Sequence, residues 1–130
     1  MMNGEKVLIV TTMKNEAPYI LEWVAHHLAL GVDNILAFTN DCDDGTERLL
    51  ARLGHMAPVQ QVPNPKSLLN DKGNWQVMAL RYARMFNVYQ DANWIYHTDA
   101  DAFLQINVGD GSLDAFHDAA EQRAGRFDAV

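Results

Sequence analysis

The sequence predicts an α/β domain, a mostly parallel sheet with helices on both faces, occupying residues 1–130 as a single unit. Three observations lead there. Short apolar runs rich in β-branched residues alternate with longer stretches whose apolar residues recur at helical spacing. The connections are short, and no repeat, low-complexity tract or linker interrupts the order. Polar residues cluster just after three of the apolar runs, where a parallel sheet presents the carboxyl ends of its strands to a ligand.

Lys6 to Thr12, KVLIVTT, reads as a first strand buried on both faces. In the adjoining NEAPYILEWVAHHLALG, Asn15 is placed to cap a helix, Glu16 suits its first turn and Pro18 is tolerated there. Ile20, Trp23, Val24, His27, Leu28 and Leu30 then keep helical spacing until Gly31 ends the helix. NILAFT (34–39) is a second strand, NDCDDGT a turn, ERLLARL before Gly54 a second helix, and PVQQV (58–62) a weaker third strand. PNPKSLLN (63–70) reads as a loop. Asp71 is placed to cap a third helix over about 72–88, with Trp75, Met78, Ala79, Tyr82 and Phe86 along one side. NWIYHT is the fourth strand, FLQIN (103–107) a candidate fifth, and Ser112 the cap of a last helix reaching about Ala124.

The totals narrow the function classes. A 48% hydrophobic and 21% charged composition is that of an ordinary globular chain. With 17 acidic against 10 basic residues the net charge is −7, which argues against lying along nucleic acid or an anionic membrane as the main task. A phosphate-bearing small molecule is compatible, because a bound cation reverses the local sign of a site. Cys42 is the single cysteine, so neither an internal disulfide nor a CxxC metal cage can form, and a reducing, cytoplasmic setting is expected. The opening apolar run is too brief for a secretory signal, and no run reaches the ~18 apolar residues of a membrane span.

The fourth strand ends in Asp99 and Asp101. In extended chain, residues i and i+2 face the same way, which aims both carboxylates at a point within ~6–7 Å of chain. Two such carboxylates repel unless a cation lies between them, and oxygen ligands alone suit a hard ion, Mg²⁺ or Mn²⁺, bridging to substrate phosphates. The rival reading is a solvated turn, which the apolar residues on both sides of the pair disfavour. An EF-hand fails the count, since from Asp41 the glycine comes fifth and Arg52 stands twelfth. A DxD phosphatase is a weaker alternative, because Phe103 replaces its usual Thr or Val and the pair comes after three α/β units.

MKNEAPYILEWVAHHLALGVDNILAFTNDCDDGT, with NWQVMALRYA and WIYHTDADAFL further along, resembles a GT-A glycosyltransferase of the family 2-like kind, over about residues 6–106. The resemblance implies a GT-A (Rossmann-like) fold, a nucleotide-diphosphate sugar donor, Mn²⁺ or Mg²⁺, and sugar transfer to an acceptor hydroxyl on a saccharide, lipid or protein. It places Asp99 and Asp101 on the motif that holds metal and donor, Asp101 being the direct ligand. Thr11, Lys14, Asn15 and Glu16 fall on the loop bordering the nucleotide. Asn40 falls where relatives carry an acid that meets the base, with Asp41 as substitute, and Lys72 where a basic residue reaches a phosphate. Many relatives read DxDEF; Ala102 stands in place of that Glu here, so its role is absent. The family's catalytic base lies past the DxD, and the sequence ends at Val130. The expectation is therefore the amino-terminal, donor-binding part of the enzyme, incomplete at its carboxyl terminus. A non-catalytic nucleotide-binding module of a larger assembly is the alternative.

Other residues carry weaker expectations. His26 and His27, adjacent on a helix, cannot share one metal and read as packing residues; Trp23, Trp75 and Trp94 read as core. His97 is a lesser candidate for the acid pair's side of the strand, and Cys42 lacks a histidine that would make its thiol a nucleophile.

Overall fold

The computed structural model describes residues 5–65, 74–107 and 109–124. Four parallel strands form one sheet: β1 (Val7–Met13), β2 (Asn34–Thr39), β3 (Val59–Pro63) and β4 (Trp94–His97), in the order β3-β2-β1-β4. Helices α1 (Ala17–Leu30) and α2 (Thr46–Leu53) connect the first three strands; α3 (Trp75–Ala83) and α4 (Asn87–Gln90) precede β4, and α5 (Leu113–Ala124) ends the described chain. The α/β class and the parallel sheet agree with the sequence reading.

β1 is central and has no polar alternation, because both its faces are covered. Val7, Ile9 and Met13 pack with Ile20, Trp23 and Val24 of α1, Leu50 of α2 and Leu113 at the start of α5. Leu8 and Val10 face the other way, with Leu36 and Phe38 of β2, against Ala79 and Ala83 of α3. The two small residues let α3 approach the strands closely. From β1 the chain steps outward through β2 to β3 with helices on one face, then returns past β1 to β4 with helices on the other. Uniformly right-handed crossovers require that change of face. It makes the gap between β1 and β4 a topological switch point, opening beyond the strands' carboxyl ends.

Three expectations need correction. Asn15 does not cap α1: it sits in left-handed backbone (φ 53°), its side chain accepts the Asp43 N–H at 2.8 Å, and Glu16 takes the cap position without a side-chain cap bond. The single helix over 72–88 is two. Asn74 is the N-cap of α3, its side chain accepting the N–H groups of Gln76 and Val77, while Asp71 lies outside the described residues. The break comes at Phe86, whose extended backbone (ψ 142°) turns its ring edge-on to Phe38 and Tyr82, at 6.1 and 6.0 Å. Core packing there outweighs helical continuation. Finally, residues 103–107 form no strand, and β4 is the sheet edge among the described residues. Ser112 does cap α5, accepting the Ala115 N–H at 3.2 Å.

Candidate functional site

At the switch point lies a cleft of about 570 Å³, within the range usual for small-molecule sites. Three strand ends meet there. Thr12, Met13, Lys14 and Glu16 come from the end of β1 and the loop after it, Asn40 and Asp41 come just after β2, and Asp99, Ala100 and Asp101 just after β4. The fourth wall is the start of α3: Asn74, Trp75 and Gln76.

The two loops on the β1–β2 side are laced together by backbone groups and short polar side chains. Asn40 N–H donates to Met13 O at 3.1 Å, and the Asn15 side chain ties its loop to Asp43. Asp44 accepts the Ala17 N–H at 3.1 Å and the Thr46 N–H at 3.0 Å, as well as the Thr46 hydroxyl. Thr46 Oγ1 in turn accepts the Glu16 N–H at 3.0 Å. The amino terminus of α1 is therefore capped from 27 to 30 residues away, by the DGT turn. Gly45 occupies left-handed backbone (φ 91°), which lets that turn fold back on itself. The Thr46 hydroxyl, with the turn's N–H groups, holds the Asp44 carboxyl below its ordinary range. Asn15 and Asp41 are the non-glycine residues with positive φ among the described residues, and both belong to these loops; such strain persists where the surroundings over-determine it.

The acid pair stands differently. It lies not on extended chain but in a turn, closed by Ala102 N–H to Asp99 O at 3.1 Å. Ala100 between the two is 2% exposed while both aspartates face solvent. Gln76 Nε2 donates to Asp99 Oδ1 at 3.3 Å, and the Asp101 carboxylate accepts no hydrogen bond from a described residue. Glu16 faces the same space. Burial raises its pKa, and the negative fields of Asp101, Asp44 and Asp99 raise it further. The result is an oxygen-lined cleft with excess negative charge. Among the described residues no three His, Cys, Asp or Glu side chains converge closely enough to hold a metal alone. An ion at the acid pair would need ligands from a bound molecule or water.

Of the residues singled out from sequence, Lys14, Glu16, Asn40, Asp41, Asp99 and Asp101 meet at one cleft. Thr11 does not: it is wholly buried in β1, and its neighbour Thr12 lines the cleft instead. Asn15 shapes the loops without lining the space. Lys72 lies outside the described residues. His97 is exposed and is not part of the lining. Trp75, expected in the core, is half-buried and lines the cleft. The signal for it was available: in a parallel α/β sheet the helix entering from a strand's carboxyl end starts on the ligand rim, and Trp75 comes directly after the capping Asn74. Trp23 and His27 are buried as expected, but their polar atoms are engaged by the acidic turn's segment.

Among the described residues no helix is long and apolar enough to cross a membrane. No family model, curated protein or solved structure matches the chain.

Proposed function

We propose that this cleft binds a nucleotide-diphosphate sugar together with Mg²⁺ or Mn²⁺, and that the domain is the donor-binding part of a GT-A, family 2-like glycosyltransferase working in the cytoplasm. One observation carries the reading: the Asp99–Asp101 turn shares a single cleft with Lys14, Glu16, Asn40 and Asp41, at the β1/β4 switch point. The donors are of the kind a hard cation takes: two exposed carboxylates lie on one turn and the Glu16 carboxyl lines the same cleft, which leaves most of the shell to phosphate oxygens and water.

Asp101 and Asp99 would hold the ion, and Lys14 offers the diphosphate a positive charge at the end of β1. Asn40 and Asp41 are placed to hydrogen-bond the base or ribose, and Trp75 offers an aromatic wall. When bound, the cation supplies neutralisation of the charge that grows on the leaving diphosphate. In the reaction, the acceptor oxygen bonds to the anomeric carbon as the bond from that carbon to the diphosphate oxygen breaks. The electron pair leaves with the nucleoside diphosphate, and the hydroxyl proton passes to a general base.

The test is a melting-temperature screen of UDP, GDP, ADP and CDP, each with Mn²⁺ and with EDTA. One nucleotide should raise the midpoint only with the metal, and Asp101→Ala should abolish the rise. Equal stabilisation of wild type and mutant would sink the reading. A sugar-transfer assay then separates a transferase from a nucleotide-binding module, which would show the metal-dependent shift without turnover.

A further inference from the structure

Beyond Thr98, whose N–H still reaches Val10 O of β1 at 3.4 Å, no described residue joins the sheet, and polar side chains of α1 hold the backbone of residues 99–104 in place. Trp23 Nε1–H is shared between Asp99 O at 3.1 Å and Ala102 O at 3.0 Å, the two residues whose backbone closes the acidic turn. One turn along α1, His26 Nε2 donates to Leu104 O at 2.6 Å. His27 Nε2 accepts the Leu104 N–H at 3.3 Å, which leaves its proton on Nδ1, donating to Trp23 O at 2.8 Å. Phe103 closes the assembly from outside, its ring 5.2 Å from His26 and 6.1 Å from His27. An α1 face needing only to fill the core would be served by apolar rings. Here three polar rings reach 76 to 79 residues along the chain to bind backbone.

The two aspartates have little else to fix them. Their side chains face solvent, Asp99 accepting only the Gln76 amide at 3.3 Å, and Ala100 between them is anchored in the core. The aim of the pair is therefore set through the backbone of residues 99–104. We infer that Trp23, His26 and His27 are positioning residues for this pair. They hold both carboxylates toward one point of the cleft, so that affinity for a divalent cation with a diphosphate depends on them although none reaches the ligand. Pre-set ligand geometry of this kind separates a tight site from a loose one. The inference rests on reading the cleft as a cation–diphosphate site.

Calorimetric titration with Mn²⁺ and each of the four nucleoside diphosphates tests it, well below the melting temperature and with folding checked by circular dichroism. Trp23→Phe keeps a ring in the core but removes the indole donor from Ala102 O and from Asp99 O, the latter keeping its Ala102 N–H. We expect its Mn²⁺-dependent binding to weaken about tenfold, with a broadened Mn²⁺ electron paramagnetic resonance spectrum. His26 is partly exposed and safer to change. His26→Leu should weaken binding severalfold, and His26→Gln, whose amide N–H can replace Nε2–H, should restore it. Wild-type affinity in both Trp23→Phe and His26→Leu, beside lost binding in Asp101→Asn, would overturn the inference and leave the site standing. A His26→Gln as weak as His26→Leu would also count against it. Wild-type protein that binds none of the four with Mn²⁺ would bring down the site itself, and the inference with it.

Discussion

The turn after β2 and the turn after β4 lie on the same rim and are built around the same kind of side chain. In the first, the Asp44 carboxylate is fully engaged by the fold, accepting two N–H groups and a hydroxyl and joining α1 to α2. In the second, the Asp101 carboxylate accepts nothing from a described residue and Asp99 only the Gln76 amide at 3.3 Å, while Trp23, His26 and His27 hold the backbone from behind. An acid whose hydrogen-bonding capacity is satisfied by its own chain is a structural part. An acid held rigidly in place but left unsatisfied is available to something else.

Exchanging the two effects gives the sharpest test of that contrast. Thr46 is fully buried and both donates to Asp44 and accepts from Glu16. Thr46→Val should therefore lower unfolding free energy by about 1–3 kcal/mol in urea titrations, while a metal-dependent nucleotide response persists. Asp101→Asn should do the reverse, leaving stability in EDTA unchanged or raised and removing the response. A large stability loss in Asp101→Asn would mean the second turn also uses its acid for the fold, and the contrast would collapse.

Acid should separate the turns as well, because different groups hold them. Burial depresses the pKa of His27 below its ordinary 6.5. Its contribution is complete above 6.5 and is lost as pH falls from there through the folded-state value, since the unfolded chain takes up a proton the folded site resists. The Asp44 carboxyl is depressed below its ordinary 3.8, so its contribution survives until pH falls below that value. Hydrogen exchange should show the Leu104 amide losing protection below about pH 6.5, while the Ala17 and Thr46 amides hold until below about pH 4. His117, stacked on Trp94 at 3.7 Å and hydrogen-bonded to the Tyr96 hydroxyl at 2.8 Å, is also depressed by burial and adds to the overall slope. That slope reaches about 1.4 kcal/mol per pH unit for each histidine. Simultaneous loss at all three amides would show that the turns are one cooperative unit.

Much of this architecture was legible in the residues, for physical reasons. β1 and β2 lie inside a parallel sheet, so their unbroken apolar runs state their burial directly. Once strand and helix alternate, topology puts the residues after each strand on one rim, and Lys14, Asn40 and the acid pair could be placed together without coordinates. What escaped was settled by long-range contacts. Asn15 looks like a cap by local rule, yet the caps of α1 come from Asp44 and Thr46. Residues 103–107 have the composition of a strand, yet Leu104 gives its N–H and C=O to two histidines. Thr11 and Thr12 are chemically alike, and only the packing at the strand's end makes Thr11 wholly buried while Thr12, on the opposite face, lines the cleft.

The smallest expected effect concerns Glu16, the carboxyl that stands between the two turns. Its backbone N–H belongs to the first, bonded to Thr46, while its side chain faces the acids of the second. The raised pKa means that ionising it in the folded protein works first against its burial and then against its acidic neighbours, so at neutral pH it destabilises the protein without a cation. A group raised above its unfolded value of 4.5 favours folding when protonated, and that advantage disappears as pH rises through the folded-state value. Glu16→Gln should raise the melting temperature in EDTA at pH 7 by about 1–3 °C, a modest figure because solvent screens the site. At pH 4 the gain should shrink, since the wild-type carboxyl is then largely neutral. With Mn²⁺ and nucleotide present it should vanish or reverse, because the cation turns the repulsion among three carboxylates into attraction. A gain that persisted unchanged with the metal would place Glu16 outside the field of the acid pair and confine it to the capping turn.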